Sequence, residues 1–330
     1  MVLQGSAVSS RRTYWHLEGL KRKPSEYEIV STALLYYPGR GFEVESPVAE
    51  WYRKYQQGSA LAIAEPDRFH DPRETTYPKY SAIQRDKEVY VDGLLESIET
   101  TGYDRGLSPA WVRTLSRALP PLRFPVHGLQ MISSYVGQMA PGSRITMASM
   151  FQAADEMRRI QRIAYRMRQL EETHAQFGHD SRSLWQQDPL WQPLRELVER
   201  LLATYDWGEA FAALNLVLKP MIDDLFLVHL SDLGARAGDL MLGRILHSLY
   251  EDARWHREWS AALTRVALEA RPENSDVLRG WIRRWHPPAL RAVAAFGPLF
   301  GAADFAVVME KLHATCADFW RSAGLLRPLE

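Results

Sequence analysis

The clearest helical pattern in the chain lies in residues 146–174, TMASMFQAADEMRRIQRIAYRMRQLEETH. Apolar side chains recur in it every three or four residues, which is the period of one face of an α-helix. The recurring positions are Met150, Ala154, Met157, Ile160, Ala164 and Met167. The period predicts a long amphipathic helix that buries this apolar stripe against neighbouring helices.

Three further long helices are predicted on both sides of this segment, at about 121–140, 206–233 and 238–270. Strand signals are nearly absent from the chain. Four long helices that each carry an apolar stripe form a bundle, because each stripe must be buried against the others. Small residues should let the first of these helices approach a neighbour closely: Gly128, Ser133, Ser134 and Gly137.

Shorter helices are predicted at about 81–101, 190–204, 275–285 and 289–322. Ser46-Pro47 and Ser108-Pro109 each combine an N-cap residue with a proline at the first helical position. They predict short helices through Trp51 and Trp111. Pro220, inside the segment 206–233, should kink that helix or end it.

Residues 1–45 form a separate unit, which we predict to be an irregular, extended arm before a helical domain at 46–330. The arm has no helical period, but it is too rich in aromatic residues for a disordered tail. We therefore expect it to lie on another surface, either of this chain or of a partner. The candidate partner-binding residues are Arg11, Arg12, Tyr14, Trp15, Lys21, Arg22, Lys23 and Tyr27.

Composition narrows the function classes. Lys plus Arg equals Asp plus Glu at 40 each, so the chain lacks the basic footprint of a nucleic-acid-binding protein. A net charge of zero also suits a permanent complex better than a free monomer. Cys316 is the lone cysteine, which fits a reducing cytoplasm. The sequence shows no signal peptide and no apolar run long enough to span a membrane.

Two Glu-x-x-His pairs, Glu171–His174 and Glu310–His313, have the spacing of di-iron ligands on a helix. One alternative is therefore a self-contained di-iron carboxylate oxidase. Against it, Glu171 sits at the polar end of its helix, whereas a metal centre needs the dry middle of a bundle. Two matches of so short a motif are also expected by chance in a chain of this length. A helical adaptor outside oxygenase chemistry is the other alternative.

Several blocks of the sequence resemble one family in the same order along the chain. They are TYWHLEGLKRKPSEYEIVS at 13–31, QMAPGSRITMASMFQAADEMRRIQRIAYRMRQLE at 138–171, LWQQDPLWQPLRELVE at 184–199, DWGEAFAALNLVLKPM at 206–221, EDARWHREWSAALTRVALE at 251–269 and GWIRRWHP at 280–287. They look like the β subunits of the hydroxylase component of bacterial multicomponent di-iron monooxygenases, of the toluene, aromatic and alkene type.

The resemblance implies a ferritin-like helical bundle with extra helices, acting as a non-catalytic structural subunit. It implies a catalytic α subunit that holds the di-iron centre and a small γ subunit, in an (αβγ)2 hydroxylase. An effector protein, a Rieske-type ferredoxin and a reductase are implied for the wider system. The assembly would hydroxylate or epoxidise aromatic hydrocarbons or alkenes with O2 and electrons from NADH. No nucleic acid, membrane or cofactor of this chain's own is expected.

The resemblance also suggests where a metal site has been lost. The α subunits carry an Asp-Glu-x-Arg-His signature twice, and its counterparts here are Asp155-Glu156-Met157-Arg158-Arg159 and Asp252-Ala253-Arg254-Trp255-His256. Arg159 replaces one His and Ala253 replaces one Glu. Glu209 matches a further carboxylate, and Gln130 replaces the last. The implied vestigial positions are Gln130, Glu156, Arg159, Glu209, Ala253 and His256.

A guanidinium has no lone pair to give a metal, so this set should not bind iron. An uncompensated buried charge is very costly, so any Glu left behind needs a partner. We expect Arg159 to replace the iron electrostatically by pairing with Glu156 and possibly with Glu209, while His256 adds a hydrogen bond. In the alternative, Arg159 points outward and apolar residues fill the centre.

Overall fold

The computed structural model describes residues 15–32, residue 34 and residues 46–325. The predicted partner-binding residues Arg11, Arg12 and Tyr14 lie outside these residues, as does the side chain of Trp15. Within the described ranges every regular element is a helix, and none is long and apolar enough to cross a membrane. The predicted all-α fold class is confirmed.

Twelve helices are used below, of which one, α8, is built from several consecutive segments. They are α1 (Glu26–Ser31), α2 (Pro47–Tyr52), α3 (Tyr77–Thr101), α4 (Pro109–Met139), α5 (Ser143–Thr173), α6 (Ser181–Gln187), α7 (Gln192–Leu202), α8 (207–236), α9 (Leu240–Ala270), α10 (Asn274–Ala294), α11 (Gly297–Phe300) and α12 (Ala302–Ser322). A 3-10 turn at Trp15–Leu20 precedes them.

The long helices α4, α5, α8 and α9 enclose the main hydrophobic core. Helices α4 and α5 run antiparallel across a three-residue connection at 140–142 and pack tightly where glycines replace larger residues. A Cβ at Gly137 would lie 3.0 Å from Cβ of Ser149, and a Cβ at Gly128 would lie 2.3 Å from Cγ1 of Val198 in α7. The predicted close approach at Gly128 and Gly137 is therefore present.

Helix α8 passes through Pro220 without ending. Two π-helical segments, Ala212–Leu218 and Asp224–His229, lie on either side of the α-helical turn Lys219–Asp223. Proline has no N–H to give to the preceding turn. Instead, the indole N–H of Trp320 in α12 donates to the carbonyl of Leu216 at 2.7 Å. A side chain from the last helix thus donates to a carbonyl in the turn that precedes Pro220.

The predicted separation of a short helix at Trp111 from a helix at 121–140 is wrong. Both belong to α4, which contains Pro120, Pro121 and Pro125. The carbonyl of Arg117, four residues before Pro121, accepts from the indole N–H of Trp191 at 3.0 Å. The predicted break between 285 and 289 is also wrong, since α10 continues through Pro287 and Pro288. The three prolines of α4 are buried, whereas Pro287 of α10 is exposed.

Helix α5 turns a different face to the core than its apolar period predicted. Met150 and Met157 are 48% and 37% exposed, whereas Glu156 and Arg159 are buried. The buried face also carries Gln152, Asp155, Arg158 and Arg166. The expected burial is therefore wrong for Met150 and Met157, whereas Ile160 and Met167 are half-buried against the core.

The described part of the N-terminal segment packs on its own chain. Helix α1, which the sequence analysis missed, begins with a capping box between Ser25 and Glu28. Tyr27 is 2% exposed, and its hydroxyl accepts from the backbone N–H of Asp71 at 3.1 Å. Arg22 pairs with Glu28 at 2.6 Å. Tyr27 and Arg22, predicted to bind a partner, are therefore engaged within the chain, while Lys21 and Lys23 are exposed.

Replacing Trp320 with Phe should lower the free energy of unfolding by about 1–3 kcal/mol, because the buried Leu216 carbonyl loses its donor. Urea denaturation followed by circular dichroism measures the change. Trp185→Phe is the matched control, since the indole of Trp185 has no hydrogen bond among the described residues and is only half-buried. Equal losses in the two variants would contradict a role for the Trp320 N–H.

Candidate functional site

Four charged side chains form a closed ring in the middle of the bundle: Glu156 and Arg159 of α5 with Lys219 and Asp223 of α8. Arg159 lies 3.3 Å from Oε2 of Glu156 and 2.8 Å from Oδ1 of Asp223. Nζ of Lys219 contacts Oε1 of Glu156 and lies 3.1 Å from Oδ2 of Asp223. Each carboxylate therefore contacts both cations, and the ring has no net charge.

Local helix geometry places the four groups. Glu156 and Arg159 are three residues apart, and Lys219 and Asp223 are four apart, so each pair lies on one helix face. All four are buried, with at most 3% of any residue exposed. Such burial is tolerated only because each charge has an opposite partner.

The charges of the ring support one another. Burial alone would lower the pKa of Arg159, but the charges of Glu156 and Asp223 raise it above its ordinary value. Burial alone would raise the pKa of Asp223, but Lys219 and Arg159 lower it. Both groups are therefore charged at neutral pH. Removing one member would leave an uncompensated charge in the core.

A second buried network joins the two signature segments across the bundle. Asp155 accepts from Tyr80 at 2.7 Å and lies 2.9 Å from Nε2 of His256. Asp252 accepts from Arg158 at 2.8 Å. The first residue of each signature thus contacts the other helix, which fixes how α5 faces α9.

The prediction that His256 adds a hydrogen bond to the ring is wrong. His256 bonds to Asp155 instead. Burial lowers the pKa of His256 well below its ordinary value, and the nearby Lys219 and Arg159 add to this. Burial raises the pKa of Asp155 well above its ordinary value, with Asp252 adding to the effect. The pair therefore favours its neutral forms. Nδ1 of His256 has no partner among the described residues.

A layer of uncharged polar groups lies one helical turn along from the ring. Gln152 and Asn215 exchange hydrogen bonds of 2.9 and 3.4 Å between α5 and α8. Gln152 also donates to Ser133 of α4 at 2.9 Å, and Asn215 donates to Ser260 of α9 at 2.8 Å. The layer links all four long helices, so this part of the bundle interior is polar rather than apolar.

Only some of the predicted vestigial positions come together. Glu156 and Arg159 do, and Ala253 and His256 are buried on the facing helix α9. Glu209 instead accepts from the indole of Trp285 at 2.8 Å and pairs with the exposed Arg284 at 2.9 Å. Glu209 does not pair with Arg159 as predicted, because it lies in the first turn of α8 and faces α10.

Gln130 is half-buried and donates to Ser134 on its own helix at 3.2 Å, so it is not among the residues that form the ring. Lys219 and Asp223, which complete the ring, were not predicted from the sequence. Their signal was visible: they interrupt the apolar run LNLVLKPMIDDLFLV at 214–228. Charges in so apolar a helix indicate partners in the core.

The two Glu-x-x-His pairs are not part of any cluster of three or more possible metal ligands among the described residues. Glu171 pairs with Arg168 and His179 near the surface, and His174 contacts the carbonyl of Asp104 at 2.9 Å. Glu310 and His313 are exposed on α12. These positions agree with the prediction that the four residues lie at helix ends or on the surface.

The bundle centre does not suit a di-iron pair either. A guanidinium and an ammonium stand between its carboxylates, and neither group can ligate a metal. Across the described ranges, no cluster of three or more His, Cys, Asp or Glu side chains has the arrangement of a metal site. The arrangement is suited to holding helices together rather than to redox chemistry.

Comparisons with known proteins point in one direction. Residues 51–271 match the family described as Methane/Phenol/Alkene Hydroxylase. The chain is 40% identical over 292 residues to the hydroxylase component subunit beta of the toluene-4-monooxygenase system of Ectopseudomonas mendocina, covering 86% of this chain and 89% of that one. It is 27% identical to the hydroxylase component small subunit of propane 2-monooxygenase of Rhodococcus jostii (strain RHA1), over 95% of this chain and 88% of that one.

A solved structure shares the architecture. It is toluene 4-monooxygenase with toluene bound in its resting active site. One of its chains superposes with a TM-score of 0.84 and 38% identity, covering 89% of this chain and 99% of that one.

Replacing Glu171, His174, Glu310 and His313 with Ala should leave the metal content of the assembled protein unchanged. These residues lie at the surface or at a helix end, where replacement changes the free energy of unfolding by about 0.5 kcal/mol or less each. Elemental analysis of the purified assembly provides the measurement. Loss of metal while the assembly stays intact would restore them as candidate ligands.

Proposed function

Because the chain belongs to the methane/phenol/alkene hydroxylase family, we propose that it is the non-catalytic structural β subunit of a multicomponent monooxygenase hydroxylase. Its bundle is the ferritin-like fold that the sequence resemblance implied. The assembly inserts one oxygen atom of O2 into an aromatic hydrocarbon or an alkene and uses electrons from NADH. The 40% identity to a toluene-monooxygenase β subunit supports this substrate class.

The buried ring is the observation that supports a non-catalytic role for this chain. Arg159 and Lys219 hold the carboxylates that a metal centre would need. The di-iron centre of the proposed assembly therefore belongs to the catalytic α subunit, which also shapes the substrate pocket. An adaptor outside oxygenase chemistry is excluded by the family match, and the surface positions of Glu171 and Glu310 remove the support for a self-contained oxidase.

The proposed partners follow from the family. They are the α subunit and a small γ subunit in an (αβγ)2 hydroxylase, together with an effector protein, a Rieske-type ferredoxin and a reductase. The proposal includes a cytoplasmic location, because NADH is supplied there. Lys21 and Lys23, exposed beside the 3-10 turn, remain candidates for contact with a partner, as do Arg11, Arg12, Tyr14 and Trp15.

The outer face of α4 and α5 is the best supported surface for the α subunit. No charged residue occurs between Arg123 and Arg144, although 24% of the chain is charged. Met150 and Met157 are exposed on α5, as is Met131 on α4. Sδ of Met150 lies 3.3 Å from where a Cβ of Gly137 would be, so the two helices share this face. Depletion of charge with enrichment of methionine is typical of interface centres.

We expect iron to be bound by the α subunit and not by this chain. Elemental analysis after iron-replete expression of the chain alone should find no stoichiometric iron, because cations fill the place between its buried carboxylates. Co-expression with the catalytic chain should yield one complex that contains iron. A pair of irons bound to the isolated chain would contradict the proposed role.

Replacing Met157 with Glu should weaken association with the α subunit roughly tenfold or more, because a charge would be buried in an apolar contact. Analytical ultracentrifugation of the mixed subunits measures the affinity. The control is Val307→Glu on α12, where an apolar residue 50% exposed gains the same charge. Both variants should keep the helical content of the parent. Equal affinities for the two variants would place the interface elsewhere.

A further inference from the structure

Asp155 is a buried carboxyl group that no Lys or Arg contacts among the described residues. It is 3% exposed. Its Oδ1 accepts from the hydroxyl of Tyr80 at 2.7 Å and from the amide of Gln84 at 2.8 Å, and its Oδ2 lies 2.9 Å from Nε2 of His256. Tyr80 and Gln84 carry no charge. An ionised Asp155 would therefore be a costly buried charge, since neither of these donors could compensate it.

The neighbouring carboxylate, Asp252, is held in a different way. Lys87 contacts it, and Arg158 donates to its Oδ2 at 2.8 Å. The amide nitrogen of Gln84 donates both to Asp155 and to Asp252, at 2.8 and 2.9 Å. The two carboxyl groups thus meet at one nitrogen atom. Two negative charges so close together would repel one another, which favours a proton on one of them.

The charges of the surrounding network balance without Asp155. Three cations pair with three carboxylates: Lys87, Arg158 and Arg162 with Glu88, Asp92 and Asp252. An ionised Asp155 would add one negative charge in excess of these pairs. A single proton on the pair of Asp155 and His256 would remove the excess.

We propose that the contact between α5 and α9 closes with a proton from the solvent. Asp155 takes up this proton when the chain folds and holds it on Oδ2, from which it is donated to Nε2 of His256. At neutral pH the pair is then a carboxylic acid and a neutral imidazole, so the contact buries no net charge. The inference rests on this network alone, and its failure leaves the proposed subunit role standing.

The surroundings favour a proton on the carboxyl group rather than on the imidazole. Burial first, and then the charges of Lys219 and Arg159, lower the pKa of His256. Burial first, and then the charge of Asp252, raise the pKa of Asp155. The charged and titratable groups around the pair lie on the loop before α3 and on four helices: Arg73, Tyr80, Lys87, Glu156, Arg159, Lys219 and Asp252.

Unfolding should release this proton. In an unfolded chain the pKa of an aspartic acid is about 3.9, so the group is ionised at neutral pH. The folded state therefore binds one proton more. The contribution of Asp155 to the free energy of unfolding falls as the pH rises from about 3.9 to the raised pKa of the folded state. Asp223, whose pKa is lowered by its cations, has the opposite dependence.

The test compares the full-length variant Asp155→Asn with the parent at neutral pH. Asn has the shape of a protonated Asp, and it can likewise accept from Tyr80 and donate to His256. The matched control is Asp104→Asn. Asp104 is 4% exposed, but it faces the guanidinium of Arg166 at 2.6 and 2.5 Å. Asp104 should therefore act as a carboxylate.

Three measurements are made on each protein. Circular dichroism gives the midpoint temperature of unfolding. Scanning calorimetry in two buffers that differ in ionisation enthalpy counts the protons released on unfolding. Infrared spectroscopy of the folded protein detects the C=O stretch of a carboxylic acid, which is separate from the bands of carboxylates.

Asp155→Asn should keep the midpoint of the parent within about 3 °C, because a neutral group replaces a neutral group. Asp104→Asn should lose roughly 10 °C or fail to fold, because Arg166 is left buried without an anion. The parent should release about one proton more on unfolding than Asp155→Asn does. The carboxylic acid band should be present in the parent and absent from Asp155→Asn.

Two results would overturn the inference. One is a folded Asp155→Asn that loses as much stability as Asp104→Asn, which would mean that Asp155 acts as a carboxylate. The other is an equal release of protons from the parent and from Asp155→Asn. If Asp155→Asn does not fold, the infrared spectrum of the folded parent decides. A carboxylic acid band there supports the proton, and its absence contradicts it.

Discussion

The cost of burying charge governs the centre of this protein. Glu156 and Asp223 lie in a bundle that excludes water, and each is held by both Arg159 and Lys219. Because an isolated charge there would cost several kcal/mol, the four groups must stay together for the fold to persist. The register between α5 and α8 is fixed by this need, since sliding either helix would separate charges from their partners.

The same constraint explains why α5 packs with its charged face inward. The carboxylate of Asp155 meets His256, and that of Asp252 meets Arg158, so polar groups connect α5 to α9 as well as to α8. Part of the apolar stripe of α5 is left exposed, at Met150 and Met157, although Ile145, Ala148 and Ile163 of the same helix are buried. Exposed apolar patches of this kind are typical of surfaces that bind another protein. The polar interior and the apolar exterior of this helix are two consequences of one arrangement.

The irregular geometry of α8 positions two members of the ring. Lys219 and Asp223 occupy a short α-helical turn between two π-helical segments, next to Pro220. Trp320, from the C-terminal helix, donates to the carbonyl of Leu216 in the first π segment. The last helix therefore supports the turn that carries half of the ring. It gives the C-terminal region a structural role that its sequence did not reveal.

The amino-acid sequence alone was enough to predict the all-α class, the positions of the long helices and the family, because helical periods and ordered blocks of resemblance are local properties of the chain. It also identified Glu156 and Arg159 as a pair, since three-residue spacing on a helix is local too. The folded arrangement was needed to show that Asp223 and Lys219, rather than Glu209, complete the ring, and that Gln130 lies outside it. It also decided which face of α5 is buried and that α4 continues through its prolines. These outcomes depend on partners distant in sequence, and the energies of buried charges and unpaired carbonyls are settled only when those partners meet.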